Sequence, residues 1–222
     1  LLNGEKYQEA IPVLLAFRQR YPDSPLGQTI PEKLALAYEK SGDVPNAAAQ
    51  YEAIAARDQK KSPQAAREAL WLAAEMYEKG KQPESALRIY RQYANDSGNP
   101  PDLRGEATFK LYNYHVANQQ VAEQQADLKL LAQLYDKQAA AASPRVRYFG
   151  ALAYFKLSQP AYDAFVALPI KQPLKQSIVL KKKAMQTALK AYDKVASIGV
   201  AEFTTAAFYQ QGEIYRLLAS DL

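Results

Sequence analysis

Three groups of side chains in this 222-residue chain have the types that catalysis, metal binding or charge recognition need. His115 is the only histidine. It could serve as a base, but a single imidazole supplies no histidine metal cluster, and no serine or carboxylate close to it in the sequence suggests a catalytic triad. Its polar reading is a surface or groove position. Glu75 and Glu78 lie one helical turn apart and could chelate a cation or share a proton. Carboxylates at that spacing far more often line a solvated face or a groove. Lys181, Lys182 and Lys183 could meet nucleic acid or an acidic membrane surface. Consecutive helical positions, however, fan the three over about 200°, and no aromatic residues are interleaved with them. Cysteine is absent, which removes disulfides, thiolate zinc sites and cysteine nucleophiles. No catalytic residue, metal site or cofactor is therefore expected, and the chain is read as a non-enzyme.

The elements that hold these residues are legible from apolar spacing. The stretch Leu70, Ala73, Ala74 and Tyr77 recurs at intervals of three and four, as a helix requires. After Gly80-Lys81-Gln82-Pro83 a second such pattern follows with Ala86, Leu87, Ile89, Tyr90 and Tyr93. The pair reads as a helical hairpin. One constant shift of the sequence against itself places Tyr77 on Tyr38, Ala86 on Ala47 and Tyr90 on Tyr51, and the turn recurs as Ser41-Gly42-Asp43. A hairpin cannot bury its apolar face alone, so recurrence implies stacking.

Along the chain, residues 4–22 read as the second helix of a truncated hairpin with the stripe Tyr7, Ala10, Ile11, Leu14 and Phe17. Pro12 is expected to bend it and Pro22 to stop it. Hairpins follow at about 26–59, 63–95 and 102–138; the second helix of the last carries Ala122, Ala126, Leu130, Leu131, Leu134 and Tyr135. A fourth first-helix has Tyr148, Ala151, Leu152 and Phe155. Residues 159–173, with Pro160, Pro169 and Pro173, read as an apolar insertion that packs rather than as a linker. A long helix over about 174–197 and a final first-helix, Phe208 to Tyr215, complete the chain. The expected division is thus 1–158, 159–173 and 174–222. The start at Leu1-Leu2-Asn3-Gly4 suggests a segment cut inside a hairpin from a longer protein.

Composition fits a globular chain, 48% hydrophobic and 23% charged. No run approaches the roughly 18 apolar residues of a membrane span. Residues 1–111 hold 15 Lys and Arg against 15 Asp and Glu, whereas residues 112–222 hold 13 against 8. The net charge of +5 is therefore a local basic face on the second half.

The recurring residues resemble the tetratricopeptide repeat: Leu70, Ala74 and Tyr77, Leu34, Ala35 and Tyr38, and Phe208, Gly212 and Tyr215 on first helices, with Ala10, Leu14, Phe17 and Pro22 on a second. The interval from Tyr38 to Tyr77 exceeds that family's usual repeat of about 34 residues. The resemblance covers 1–158 and 184–222. It implies an all-α solenoid of stacked antiparallel hairpins that binds a protein or peptide partner on a concave face lined by first helices. Ile30 to Glu39, Leu180 to Tyr192 and Gly199 to Ala207 further resemble large proteobacterial envelope repeat proteins associated with TonB-type systems. That likeness implies a periplasmic scaffold.

Carried over by register, the face-lining positions are Glu32, Leu36 and Glu39; Trp71, Glu75 and Glu78; Thr108, Tyr112 and His115; Phe149, Ala153 and Lys156; and Tyr209, Glu213 and Arg216. Trp71, Tyr112, Phe149 and Tyr209 would form an aromatic ladder for a peptide. The competing reading packs each between hairpins. Lys181, Lys182 and Lys183 form a basic patch for a second, acidic surface. No nucleic-acid partner and no membrane insertion are expected. Two other readings are a purely structural array and a superhelical segment of a cell-wall enzyme whose catalytic domain lies outside this chain.

Overall fold

The computed structural model describes residues 2–221, with Asn3 described by its backbone alone; Leu1, where the expected cut hairpin begins, lies outside the described residues. Among them the fold is all-helical, with ten α-helices and no strand. These are α1 (Tyr7–Arg20), α2 (Ile30–Ser41), α3 (Val44–Asp58), α4 (Pro63–Lys79), α5 (Pro83–Asn95), α6 (Pro101–Ala117), α7 (Val121–Gln138), α8 (Pro144–Val166), α9 (Leu174–Ile198) and α10 (Ala201–Asp221).

Proline sets most of the starts. α4, α5, α6 and α8 begin on a proline, which fits the first turn because its missing N–H has no partner there in any case. Asp43 and Ser143 cap α3 and α8 by accepting the backbone N–H groups of Asn46 and Val146.

One turn geometry recurs three times. After α2, Gly42 takes a left-handed conformation, its N–H donates to the Glu39 carbonyl, and the Asp43 N–H donates to the Tyr38 carbonyl at 2.9 Å. After α4, Lys81 is left-handed and the same two bonds run from Lys81 to Glu78 and from Gln82 to Tyr77, the latter again 2.9 Å. After α6, Gln119 bonds Val116 and Gln120 bonds His115, also at 2.9 Å. This is the Schellman helix stop, which satisfies the last carbonyls of each helix. The turn marks off a nearly constant repeat, the step from Lys81 to Gln119 being shorter by a single position than the step from Gly42 to Lys81.

By its internal contacts the chain divides into two compact units, one ending at Gln92 and the other beginning at Tyr93. In the first, α3 packs on α2 and α4, and α1 packs on α2. Ile30, Leu34, Tyr38, Ala47, Ala48 and Met76 form one core cluster, and Ala35, Ile54, Ala55 and Ala69 another. The many alanines let neighbouring helices approach closely. In the second unit α8 is central, touching α6, α7, α9 and α10. Phe165, Ala188, Tyr192, Val195 and Ile214 are buried around it.

Three stretches differ from expectation. The stripe expected on α7 holds only in part: Leu131 and Leu134 are buried and Tyr135 half-buried, but Ala122, Ala126 and Leu130 are exposed, and Asp127, Leu128 and Ala132 are buried instead. α8 does not stop at Ser158 but continues through Pro160 to Val166, so the first half of the expected insertion is helix. Phe165 within it is fully buried. On α10 the buried residues are Phe203, Ala207 and Ile214, whereas Phe208, Gly212 and Tyr215 face outward.

The shared turn makes an opposite pair of predictions. A left-handed L-residue costs roughly 1–2 kcal/mol that glycine avoids. Lys81→Gly is expected to stabilise the protein by about 1 kcal/mol, and Gly42→Ala to destabilise it by about the same. Chemical denaturation of the two variants checks both signs.

Candidate functional site

The turn register identifies which side chains occupy equivalent places. Trp71, Glu75 and Glu78 follow one another at spacings of four and three, so they share one face of α4. Glu32, Leu36 and Glu39 hold the equivalent positions on α2. In the first unit these residues surround a half-open surface. Leu36 is exposed, and Trp71 and Glu75 are half-buried. The Trp71 indole lies edge-on to the Tyr90 ring at 5.4 Å, and its N–H donates to Glu75 Oε1 at 3.0 Å. Trp71 is thus held in place while remaining partly exposed.

The carboxylates around it are positioned too. Glu39 accepts from the Tyr51 hydroxyl at 3.1 Å, and Arg57 donates to Glu32 at 2.6 Å. Behind the face, Tyr77 donates to Glu52 at 2.7 Å, and Arg88 bonds the same carboxylate at 2.8 Å. These ties cross from one helix to another and fix the α2–α4 surface. Burial, followed by the hydrogen bond to Glu39 or Glu52, pushes the Tyr51 and Tyr77 hydroxyls up to about 12.

In the third hairpin the expected positions are off by one residue. The turn register aligns Glu39 and Glu78 with Val116, not with His115. The equivalent face of α6 is therefore Phe109, Asn113 and Val116. Because each helical residue turns about 100°, the one-residue slip carries Thr108 and His115 inward, and both are buried.

His115, expected on a surface or groove, is 5% exposed, and its Nδ1 lies 2.6 Å from Asp127 Oδ2. Asp127 is buried as well. Gln124 donates to the His115 carbonyl at 3.0 Å. The pair joins α6 to α7 and acts as a structural clasp.

Phe149 is another correction. It is 3% exposed and packs with Leu128, Leu131 and Ala132, with the Phe109 ring at 5.5 Å. It is a core residue and no partner can reach it. Tyr112 is half-buried and stacks on Phe109 at 6.4 Å. Lys156 and Tyr209 are exposed. Glu213, next to Tyr209 on the α10 surface, is paired with Arg216 at 2.8 Å. The expected aromatic ladder is therefore not continuous. Its open members are Trp71 in the first unit and Tyr112 and Tyr209 in the second.

Lys181 leaves the expected basic patch. It is 2% exposed. Its ammonium donates to the Phe165 and Leu168 carbonyls at 3.0 and 2.9 Å, lies 2.7 Å from Asp221, and sits over the Phe165 ring. A cation at the carbonyl end of α8 is where the helix dipole favours one. Lys182 and Lys183 remain exposed. Lysines in a row gave no signal of which one turns inward.

Among the described residues, no three His, Cys, Asp or Glu side chains converge as metal ligands, and no helix is long and apolar enough to cross a membrane. No protein-family model and no curated protein matches this chain.

Two measurements follow from these contacts. Lys181→Met keeps the apolar stem but leaves two buried carbonyls and Asp221 without their cation, and is expected to cost about 3 kcal/mol. Lys182→Met should stay within about 0.5 kcal/mol of the parent. The second concerns alkaline pH. Tyr51, Tyr77 and Tyr192 hold their protons more tightly when folded, each up to about 12 against 10.0 for an unperturbed tyrosine. Their contribution is complete below pH 10 and is lost as pH rises through 12. Thermal melts across that window should show falling stability, and Tyr77→Phe should make the fall shallower.

Proposed function

We propose that this chain is a non-catalytic interaction scaffold, a tetratricopeptide-type solenoid segment that binds a protein or peptide partner on its first-helix face. The observation that carries this reading is the surface of α2 and α4. Trp71 is held in place while partly exposed, Leu36 is exposed on the neighbouring helix, and Glu32, Glu39, Glu75 and Glu78 flank both. A pre-positioned aromatic ring loses little entropy when a partner covers it, and rings of this kind dominate interface energetics. Four carboxylates beside apolar side chains fit a segment that pairs large apolar residues with lysine or arginine. The recurrence of helices and turns at nearly equal intervals supports the solenoid architecture. The resemblance to TonB-associated envelope repeat proteins supports a periplasmic setting, with another envelope protein as partner.

The test uses Trp71 as its own reporter, since it is the chain's only tryptophan. Peptides selected from a random library should be rich in basic and large apolar residues and should shift the Trp71 emission on titration. Glu75→Gln with Glu78→Gln should weaken them by about tenfold while thermal stability is kept. Selected peptides that leave the emission unchanged, or that bind the double variant as well as the parent, would overturn the assignment of this face.

A further inference from the structure

Turning Lys181 inward leaves an ordered column of charge on the opposite side of α9. Lys175, Val179, Lys182, Gln186 and Lys190 follow at spacings of four, three, four and four, with Lys183 beside them. At about 100° per residue these six lie within a 100° arc, and the column is about 22 Å long. All six are exposed. The helix carries no carboxylate from Leu174 to Tyr192. Asp193, farther along the same helix, accepts from Gln211, and on neighbouring elements Asp136 is engaged with Lys194 and Tyr154 and Asp221 with Lys181. Among the described residues, none of Lys175, Lys182, Lys183 or Lys190 is in an ion pair.

The aliphatic residues decide what kind of anion fits. Val179, within the column, is 60% exposed, and Leu180 beside it is 55% exposed. A partner made only of phosphates would leave both against charge and water. A bilayer would cover them, but the apolar part is short and lacks the aromatic residues that anchor interfacial helices. A helix fits both features. Spacings of three and four are those by which one helix packs along another, and carboxylates on a facing helix can meet lysines placed about one heptad apart. α9 already packs on α8 and α10 through its other side, so a third helix would lie on the face left open.

We propose that the outer face of α9 docks an acidic amphipathic helix of a partner protein, with carboxylates against Lys175, Lys182, Lys183 and Lys190 and an apolar side chain against Val179. The site stands on its own residues and is separate from the Trp71 surface.

The test is a fluorescence-anisotropy titration of the whole chain with a labelled helical peptide of about 20 residues. The peptide carries glutamates at heptad intervals and leucines between them. A second peptide of the same composition, scrambled, serves as control. The ordered peptide should bind more tightly than the scrambled one, and more weakly as salt is raised. Lys182→Glu with Lys183→Glu should weaken it by about tenfold and Val179→Ser by about threefold, whereas Lys60→Glu with Lys61→Glu on another part of the chain should not. Equal binding of the two peptides, or equal loss from both lysine pairs, would overturn the site. So would tighter binding, through Lys182 and Lys183, of phosphatidylglycerol vesicles or of duplex DNA than of the acidic peptide. Trp71 emission follows the other face independently, so failure of one site does not read as failure of the other.

Discussion

The hydrogen bond from a residue just beyond a helix to the carbonyl five residues back is the constraint on which the rest of the structure depends. It recurs at Asp43, Gln82 and Gln120, each time 2.9 Å long. Closing that ring forces the preceding residue into the left-handed region, and Gly42, Lys81 and Gln119 all comply. Only the first is glycine. The geometry is therefore imposed by the packing of the helices on either side, which can bear the cost at a lysine or glutamine. Once the turn is set, so is the rotation at which the preceding helix presents its faces.

Much of this was legible in the sequence. The start of α4 at Ser62-Pro63 was visible, because a proline after a polar residue both ends a turn and suits a first helical position. The α4–α5 pattern is reproduced closely: Ala73, Ala74, Ala86, Leu87, Ile89, Tyr90 and Tyr93 are all buried. Small and aromatic residues at helical spacing have few other ways to lower their free energy in water. Proline gave a misleading stop at Pro160. There the helix continues because the surrounding contacts, with Phe165 fully buried beyond the proline, outweigh one missing backbone bond.

The less legible part concerns charges that are not where charges usually lie. Asp127 looks solvated by type, and the expected stripe of α7 left it out while including the exposed Ala122, Ala126 and Leu130 beside the buried Leu131 and Leu134. It is buried because His115 meets it from α6. Lys181 is buried because two carbonyls and Asp221 converge on it. In each case the burial cost is offset by a partner on another element, well removed in sequence, and a pattern read along one helix has no access to that partner. The cationic column of α9 is a consequence of the same event. With Lys181 drawn inside, the lysines left outside fall into one file.

Register also decides how local the surface chemistry is. A slip of one residue rotates a helical face by about 100°, so the positions equivalent to Trp71, Glu75 and Glu78 on α6 are Phe109, Asn113 and Val116. The fold repeats across that step and the chemistry does not: two carboxylates become an amide and an isopropyl group. The acidic character of the α2 and α4 faces is thus absent from the equivalent positions of α6. Repetition of the helices and turns thus supplies a common framework, while the acidic surface around Trp71 belongs to the first unit and the basic surface of α9 to the second. The turns fix which residues face outward on α2 and α4, and on α9 the burial of Lys181 does so.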